Sequence, residues 1–486
     1  MNYLGIDVGT TRLKCAIYND KGKVIYNDAV DYGEFNRGDE KYLDIESIKI
    51  NLFNLIRKAY LVEKFDAISI SSLGESFVLL DKEDNILFLP MLYTDNRGSE
   101  QAERYNEKRN EIFEISGVMP QAMYSVYKLL WIKENKTDIY NNADKLFLIN
   151  EYFTYLLTKE RVIDYSQAAR TGVFDVVNKE FSGELCEIFD IKTTLFSKPK
   201  PSGTIIGKMS NEVMRELGIE SDVYIVTGGH DQVCSAIGSG LFDSKTCIDG
   251  MGTVECLVAA YDSFSHNIEM GGCGYPNVPF LDNKYCTYLL NYSCGSLTRW
   301  WLEQVYSKEE ILDGSAFILA EKDFIDEPTG LMVLPYFDGA ATPYQDVFAK
   351  GAILNLSLSN HKSSIYQGIL EGLSYEIKLN LDNVKKYGIN PRKIIVTGGG
   401  ASSDKWLQIK ADILNKNIYR LKNKEAGVCG AAMLACFALT NETMESIARR
   451  FVKIKDVFKP RKEMVLKYKQ QYNKYKLLYK NIKRFM

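Results

Sequence analysis

The first residues that could do chemistry stand at the start of the chain, in the stretch Asp7-Val-Gly-Thr10-Thr11. Apolar runs on both sides, the second carrying Lys14, predict a β-hairpin. Its Gly-Thr turn offers backbone N–H groups to a polyanion, and the carboxylate beside it suits a hydrated cation. We therefore expect a nucleoside triphosphate with Mg²⁺ here, with Thr10, Thr11 and Lys14 on the nucleotide and Asp7 on the metal.

Asp231 is the strongest candidate for catalysis. It follows Gly228-Gly229-His230 after a predicted strand over 223–227, where side chains of an α/β domain project into a cleft. An Asp at such a place can accept the proton of a substrate hydroxyl as that oxygen attacks phosphorus. It could equally cap a helix that starts at Val233, and the spacing alone leaves both roles open.

The opening pattern recurs in the second half of the chain. Asp249-Gly-Met-Gly252-Thr253 again gives an Asp and a Gly-Thr turn between two apolar runs. The run over 393–397 leads into Gly398-Gly399-Gly400 and resembles the earlier passage over 223–232. We expect Gly252 and Thr253 to bind phosphates, and Gly399 and Gly400 to lie against a nucleoside. Two similar domains that face a cleft would explain the repeat, with a boundary near residues 240–244.

Two polar clusters follow apolar strands and could bind a polyhydroxylated substrate. The first is Glu75, at a turn after Gly74, and the second contains Asp95 and Arg97. Each could also be a surface turn, in which an Asp–Arg pair is worth little. Because the acceptor-side candidates are anionic and Arg97 is the one nearby cation in the motifs, we expect a substrate without a carboxylate or phosphate.

Composition sets limits on the class of protein. A chain of 486 residues needs two ordinary domains, and a net charge of −3 argues against nucleic acid as the main partner. No apolar run approaches the length of about 20 residues that spans a bilayer, and no leader pattern is visible. Ten scattered cysteines and three dispersed histidines favour free thiols in the cytoplasm over disulfides or zinc.

Three helices are predicted with some detail. Apolar spacing indicates a helix over 44–60 that Asp44 caps and a second helix over 127–135. The basic, tyrosine-rich tail over 462–486 predicts a helix that docks on a domain and keeps its lysines in solvent. Binding of an anionic partner is the alternative reading of this tail.

Taken in order, these motifs resemble the FGGY family of carbohydrate kinases, within the actin/hexokinase/Hsp70-like ATPase superfamily. The resemblance covers roughly residues 3–437 and includes two further signatures, Asp164-Tyr-Ser-Gln-Ala-Ala-Arg170 and Leu334-Pro-Tyr-Phe-Asp-Gly-Ala-Ala-Thr-Pro343. Tyr93-Thr-Asp95-Asn-Arg97 is similar to the family's sugar-contact element, with Tyr in place of the usual Trp. Gly229-His-Asp231-Gln232 is similar to its catalytic-base motif.

The resemblance implies an α/β fold of two ribonuclease-H-like (actin-like ATPase) domains, with ATP and Mg²⁺ between them. It implies an N-terminal domain over 1–240, a nucleotide-binding domain over 241–455 and a C-terminal helix over 456–486. Asp231 becomes the general base, while Glu75, Asp95, Arg97 and Gln232 face the substrate. Asp404 joins the nucleotide contacts, and the segment over 427–430 packs against the adenine pocket.

The substrate stays open among related sugars. A xylulokinase-like pentulose kinase is the leading interpretation, and a glycerol, other polyol or deoxysugar kinase is the alternative. Glu75 and Gln232 match glycerol kinases, whereas Gly74 and His230 depart from them. An actin- or Hsp70-like ATPase without a sugar substrate is the rival from another class, although the chain shows no peptide-binding domain. The interpretation also allows a homodimer.

Overall fold

Two large mixed sheets organise the computed structural model, which describes residues 1–33, 35–423 and 425–485. The strands of the first half are β1 (Asn2–Val8), β2 (Arg12–Asn19), β3 (Val24–Asp31), β4 (Phe35–Arg37), β5 (Glu40–Tyr42), β6 (Ala67–Ser72), β7 (Phe77–Leu80), β8 (Ile86–Phe88), β9 (Lys145–Leu148), β10 (Val162–Asp164), β11 (Phe174–Asp175), β12 (Glu180–Phe181), β13 (Lys198–Lys200), β14 (Ile205–Lys208) and β15 (Tyr224–His230). Those of the second half are β16 (Thr246–Met251), β17 (Glu255–Tyr261), β18 (Val278–Pro279), β19 (Tyr285–Asn291), β20 (Met332–Leu334), β21 (Ala352–Leu354), β22 (Lys393–Thr397), β23 (Asn417–Leu421) and β24 (Ile454–Phe458).

The two large sheets share one topology. Read from one edge, the first sheet runs β3-β2-β1-β6-β15-β14, and the second contains β19-β17-β16-β22-β23-β24. In both, two antiparallel pairings are followed by two parallel pairings and a final antiparallel one. The predicted α/β fold with an internal repeat is confirmed.

One equivalence drawn from the sequence is wrong. The sequence pattern matches 223–232 with 393–403, but in the six-strand order that the two sheets share β15 is the fifth strand and β22 is the fourth. The true counterpart of β22 is β6, which also runs into a glycine, and the counterpart of β15 is β23. A strand followed by small residues thus occurs more than once in each half, and the motif alone does not fix its place.

Helices cover the sheets and connect the strands. In chain order they are α1 (Ile45–Val62), α2 (Ser99–Arg104), α3 (Arg109–Ser116), α4 (Ser125–Asn135), α5 (Thr137–Asn142), α6 (Ile149–Thr158), α7 (Tyr165–Ala168), α8 (Gly183–Ile188), α9 (Asn211–Leu217), α10 (Asp231–Ser239), α11 (Ile268–Gly272), α12 (Gly295–Val305), α13 (Lys308–Leu312), α14 (Ser315–Lys322), α15 (Lys362–Val384), α16 (Asp404–Leu414), α17 (Ala426–Leu439), α18 (Met444–Phe451) and α19 (Lys462–Ile482). The Asp44 cap is confirmed, since its carboxylate accepts from the Ser47 N–H. Within the described residues, no helix is both long and apolar enough to cross a membrane.

The two halves meet where α10 and α17 cross. These helices follow the equivalent strands β15 and β23, and they touch backbone to backbone. A Cβ added to Gly238 would lie 2.0 Å from the Ala426 carbonyl oxygen, and one added to Gly430 would lie 1.9 Å from that of Cys234. Only glycine fits at either position, so the crossing fixes how the halves join.

The tail forms α19 and docks on α15, as predicted. Its tyrosines face inward: Tyr475 donates to Glu376 Oε2 over 2.6 Å, and Tyr472 donates to Asp382 Oδ2 over 2.9 Å. Burial raises the pKa of Glu376 to about 7 against the opposing effect of its tyrosine donors. The last residue of the predicted tail, Met486, lies outside the described residues.

Candidate active site

Two adjoining cavities lie beside the second Gly-Thr hairpin. The larger measures about 950 Å³ and is lined by aromatic side chains, including Trp300, Phe317 and Trp406, together with Gly399 and Gly400. The smaller measures about 300 Å³. Gly252 and Thr253 line both cavities. The larger cavity thus has an aromatic lining and the smaller one includes the charged side chains of Asp7 and Lys14, a combination that suits a nucleoside and its phosphate chain.

Residues of both Gly-Thr hairpins line the smaller cavity. Asp7 of β1 and Lys14 of β2, which pair across the strands, line it together with Gln232. Thr10 and Thr11 form the turn between these strands, and the cavity lining does not include them.

Asp7 is the carboxylate on this side of the cleft. It accepts a hydrogen bond from Ser71 Oγ over 2.8 Å, and burial raises its pKa although Ser71 and Lys14 oppose the shift. Lys14 Nζ in turn lies 2.6 Å from Glu425 Oε2. Asp7 is therefore half-buried at the edge of the cavity, and its charge is partly compensated by Ser71 and Lys14.

A single carboxylate suits Mg²⁺, which usually keeps several waters and takes one or two carboxylates besides substrate phosphates. The described residues contain no cluster of three or more acidic, histidine or cysteine ligands, so an all-protein cage is not built there. Asp7 fits the carboxylate part of a phosphate-bridged Mg²⁺ site.

The second hairpin departs from its predicted likeness to the first. Asp249 was expected to repeat Asp7, but it faces the opposite side of the sheet and is fully buried. Lys410 of α16 donates to both Asp249 and Glu255, and all three side chains are inaccessible to solvent. The position that matches Asp7 is Gly250, which pairs with Cys256 and lines the cavity. One extra residue between the Asp and the Gly-Thr turn moves the carboxylate to the other face.

Two residues expected at the nucleotide have other contacts. Asp404 opens α16, and its carboxylate, 72% exposed, accepts from Arg420 Nη1 over 2.7 Å. The lining of the larger cavity does not include it. A Cβ on Gly427 would lie 3.2 Å from the Asp7 carboxyl carbon, so this segment packs beside Asp7 and α10. Gly427 lines the smaller cavity, and no residue over 427–430 lines the larger one; the packing of this segment on an adenine pocket stays a prediction.

Asp231 is the first residue of α10, while the residue before it, His230, holds the cap position. Burial, reinforced by the negative charges of Asp7 and Glu75, raises the pKa of Asp231 to about 7. Its Oδ1 atom is buried and meets no hydrogen-bond geometry with any described side chain or backbone group. A carboxylate of this kind is well matched to accept a proton near neutral pH.

Glu75 sits in a strained turn next to Asp231. Its φ of 63° lies in the left-handed region, where a residue with a side chain needs support from its surroundings. Arg170 provides it, because its Nε donates to Glu75 Oε1 over 2.6 Å and both side chains are almost fully buried. Ser125 Oγ also donates to the Glu75 carbonyl over 2.7 Å.

Asp95 and Arg97 form a close pair. Arg97 Nη2 donates to Asp95 Oδ2 over 2.7 Å and Arg97 Nε donates to Asp95 Oδ1 over 2.9 Å. Burial favours a higher pKa for Asp95, but the Arg97 hydrogen bonds outweigh it and hold that pKa below its usual value. The pair is buried, so the alternative of a solvated surface turn is wrong.

A second cation reaches this region from α4. Lys128 is fully buried and donates to the Asp95 carbonyl over 2.6 Å. Burial lowers the pKa of Lys128 to about 8 in spite of Asp95 and Glu75 nearby. Arg97 is therefore not the one cation near the acceptor candidates, and that premise of the neutral-substrate prediction is wrong.

Sequence reasoning missed Arg170, Lys128 and Lys410 as members of the site and its support. Arg170 ends the signature over 164–170, but its partner Glu75 is 95 residues away in the sequence. Lys128 and Lys410 each interrupt an apolar helical face, and a lone cation on such a face was the available signal.

Comparison with known proteins covers most of the chain. Residues 2–238 match the model of the FGGY family of carbohydrate kinases, N-terminal domain, and residues 277–439 match that of its C-terminal domain. The chain is 28% identical to the xylulose kinase of Staphylococcus epidermidis, over 99% of this chain and 97% of that protein.

Two solved structures share the fold along nearly the full length. The ligand-bound xylulose kinase from Lactobacillus acidophilus superposes with a TM-score of 0.91 at 25% identity, covering 99% of this chain and 98% of that one. The gluconate kinase from the same organism gives a TM-score of 0.90 at 26% identity with the same coverage.

Proposed function

Because this chain belongs to the FGGY family of carbohydrate kinases, we propose that it transfers the terminal phosphoryl group of ATP to a hydroxyl of a xylulose-like pentulose. The family assignment makes the protein a sugar kinase that uses ATP, and it removes the actin- or Hsp70-like ATPase as an interpretation. The cavities and side chains of the site indicate where the nucleotide binds, where the acceptor hydroxyl lies and which sugar carries it.

The donor nucleotide occupies the two adjoining cavities in this proposal. Adenosine lies among the aromatic side chains of the larger cavity, against Gly399 and Gly400. The phosphates pass Gly252 and Thr253 and reach Lys14, while the turn at Thr10 and Thr11 closes over them. Asp7 holds Mg²⁺, which neutralises charge on the transferred phosphoryl group when it is bound. Asp404 keeps a nucleotide role by resemblance alone.

The acceptor hydroxyl lies against Asp231. Its proton passes to the Asp231 carboxylate while the hydroxyl oxygen forms a bond to the γ-phosphorus, and the bond from that phosphorus to the β–γ bridging oxygen of ATP breaks. The products are ADP and the sugar phosphate. The observation that carries this assignment is the Asp231 carboxylate at the start of α10, which is 32% exposed, leaves Oδ1 without a hydrogen-bond partner among the described residues, and has its pKa raised by burial to about 7.

A neutral pentulose fits the charges around the acceptor. Arg170 is engaged by Glu75 and Arg97 by Asp95, so these cations satisfy protein carboxylates. Gln232, Glu75 and Asp95 then offer hydrogen bonds to hydroxyl groups. Among the three cations Arg97, Lys128 and Arg170, Lys128 is the one whose described hydrogen bond goes to a carbonyl and not to a carboxylate; this buried charge makes gluconate the second candidate.

Three further features belong to the same proposal: the division into domains, the location in the cell and the assembly. The N-terminal domain spans 1–240 and the nucleotide domain 241–455, followed by the helix over 456–486; this division is supported by the strands of the first large sheet, which all precede α10. We also propose a cytoplasmic enzyme, since none of its ten cysteines forms a disulfide in the described structure, and a homodimer as its assembly.

The Asp231→Asn variant tests the catalytic assignment. Asparagine keeps the size and the helix position but cannot take the proton, so kcat should fall by about 10²–10⁴-fold. ATP affinity should persist, because the hairpins that line the donor cavities are unchanged. Acceptors to compare are xylulose, ribulose, glycerol and gluconate. Turnover near that of the wild type would remove Asp231 from the mechanism, and a preference for gluconate would replace the pentulose.

A further inference from the structure

A buried imidazole stands between the proposed base and the opposite half of the molecule. His230 is 6% exposed, and its Nε2 lies 3.2 Å from Asp231 Oδ1. Its Nδ1 lies 3.1 Å from the hydroxyl oxygen of Tyr288. His230 ends β15 of the first sheet and Tyr288 belongs to β19 of the second, so this contact spans the cleft.

The position of the ring depends on the absence of a side chain at residue 74. A Cβ on Gly74 would lie 2.9 Å from His230 Cδ2 and 3.1 Å from Arg170 Cγ. These are distances that force a neighbour to move. Gly74 and His230 are the two residues that set this chain apart from the glycerol-kinase pattern, and in the structure they pack against each other.

The direction of the hydrogen bonds follows from the charge states. Burial, with Arg170 nearby, lowers the pKa of His230 well below its usual value, so the ring is neutral and carries one N–H. An ionised Asp231 can only accept, so the proton must sit on Nε2, which faces it. Nδ1 is then the acceptor and the Tyr288 hydroxyl is the donor. The Tyr288 hydroxyl thus selects the tautomer whose Nε2–H lies close to Asp231 Oδ1, an atom that has no hydrogen-bond partner of its own in the described structure.

We propose that Tyr288, acting through His230, positions the Asp231 carboxylate, so that the general base is aligned only when the two halves of the molecule are together. This inference rests on the proposed role of Asp231. Tyr288 and His230 are positioning residues in it, because neither is required to touch the substrate. The base would thereby lose efficiency in the open state, when ATP and sugar are not both enclosed.

Other groups also act on Asp231 and must be kept constant in a test. Charged and titratable side chains reach it from every surrounding element, namely Asp7, Glu75, Arg170, Cys234, Cys256, His230 and Tyr288. Replacing the Tyr288 hydroxyl alone leaves the other six in place. The Tyr288→Phe variant is therefore the cleanest probe.

The test is a double-mutant cycle with Tyr288→Phe and His230→Phe. Tyr288→Phe should lower kcat about three- to tenfold, the effect of one neutral hydrogen bond, with little change in the sugar KM. The acidic limb of kcat/KM should move to higher pH by about half a unit, because the imidazole N–H is no longer held near the carboxylate. In the His230→Phe background the same change should alter kcat less than about twofold, since the two residues act in series.

Tyr285→Phe is the matched control. Tyr285 lies on the same strand, and its hydroxyl also crosses between the halves, donating to the Val176 carbonyl over 3.0 Å. It has no contact with His230 among the described hydrogen bonds, so its loss should leave kcat and the pH profile unchanged.

The outcomes separate clearly. Independent, multiplying effects of the two substitutions would overturn the inference, and so would a Tyr285→Phe variant that matched Tyr288→Phe in both readouts. An unmoved acidic limb in Tyr288→Phe would overturn it as well. The cycle can be run with any acceptor that the wild-type kinase phosphorylates, so a wrong pentulose assignment leaves this test intact.

Discussion

The two Gly-Thr hairpins occupy equivalent places in the two sheets and use their charges in opposite ways. In the first, Asp7 and Lys14 pair across the strands and face the cavity. In the second, Gly250 and Cys256 hold those places, and the acidic residues turn into the core to meet Lys410. The first hairpin therefore presents ionic side chains to the cavity. The second presents backbone groups to it and is held in place by a buried ionic cluster on its other face.

The difference has a simple origin in strand geometry. Side chains alternate between the faces of a sheet, so a shift of one residue relative to the turn exchanges ligand contact for core packing. The buried triad then joins both arms of the second hairpin to α16, the helix that follows Gly399 and Gly400. In the proposed donor site, one lysine would therefore hold together the elements that contact the nucleoside and those that contact the phosphates.

The largest expected effect is on stability in Lys410→Met. Removing one partner of a buried ionic cluster leaves uncompensated carboxylates, which costs about 3–5 kcal/mol. Denaturant unfolding measures it, and Lys14→Met is the control. The Lys14–Glu425 pair is 31% and 51% exposed, so its loss should cost less than about 1 kcal/mol. Adding Asp249→Asn and Glu255→Gln to Lys410→Met should recover most of the loss. Equal destabilisation by the two lysine variants would contradict the contrast between the hairpins.

The next effect is catalytic, in Asp7→Asn. Loss of a charge aimed at the phosphates should reduce kcat by at least about 100-fold, while the melting temperature stays close to that of the wild type. Asp249→Asn should do the reverse, lowering the melting temperature and retaining most of the turnover. A fall in kcat as large in Asp249→Asn as in Asp7→Asn would show that both carboxylates serve the reaction.

The smallest expected effect is on the KM for ATP in Gly250→Asp, which gives the second hairpin a carboxylate at the position of Asp7 in the first. A carboxylate at the position that matches Asp7 would face the phosphates from a side that offers it no matching lysine. The KM for ATP should rise about tenfold, since like charges in a cleft repel. Gly250→Ala is the control, because its Cβ would lie 3.4 Å from the Cys256 carbonyl oxygen, an ordinary contact. An unchanged ATP KM in Gly250→Asp would place the phosphates elsewhere.

Local patterns allowed much of the fold to be predicted. The strands near residues 3, 13 and 67 and the cap at Asp44 depend on alternation, helical spacing and one side-chain hydrogen bond, which act over a few residues. Family resemblance supplied the order of the motifs. Local patterns and the order of the motifs can both be read directly from the sequence, and together they predicted the two-sheet α/β fold.

Pairing over long distances could not be predicted in the same way. The packing of whole layers brings together two distant pairs, Glu75 with Arg170 and Lys410 with Asp249. The residues next to each of them in the sequence do not indicate which residue the partner is. The sheet face on which Asp249 lies could have been predicted, unlike these pairs, because the spacing of Asp249 from the Gly-Thr turn is visible in the sequence. Counting from the turn would have placed it in the core.

The glycine crossing of α10 and α17 has a consequence for the reaction itself. Asp231 opens one helix, and Gly427, in the first turn of the other, rests against Asp7. The distance between Asp231, the proposed base, and Asp7, the proposed metal-side carboxylate, is thus set by peptide backbone in direct contact and not by flexible side chains. Substitutions at surface or sugar-contacting positions should therefore leave this distance unchanged. If the proposed roles hold, the sugar pocket can change its substrate without moving the base relative to the phosphates.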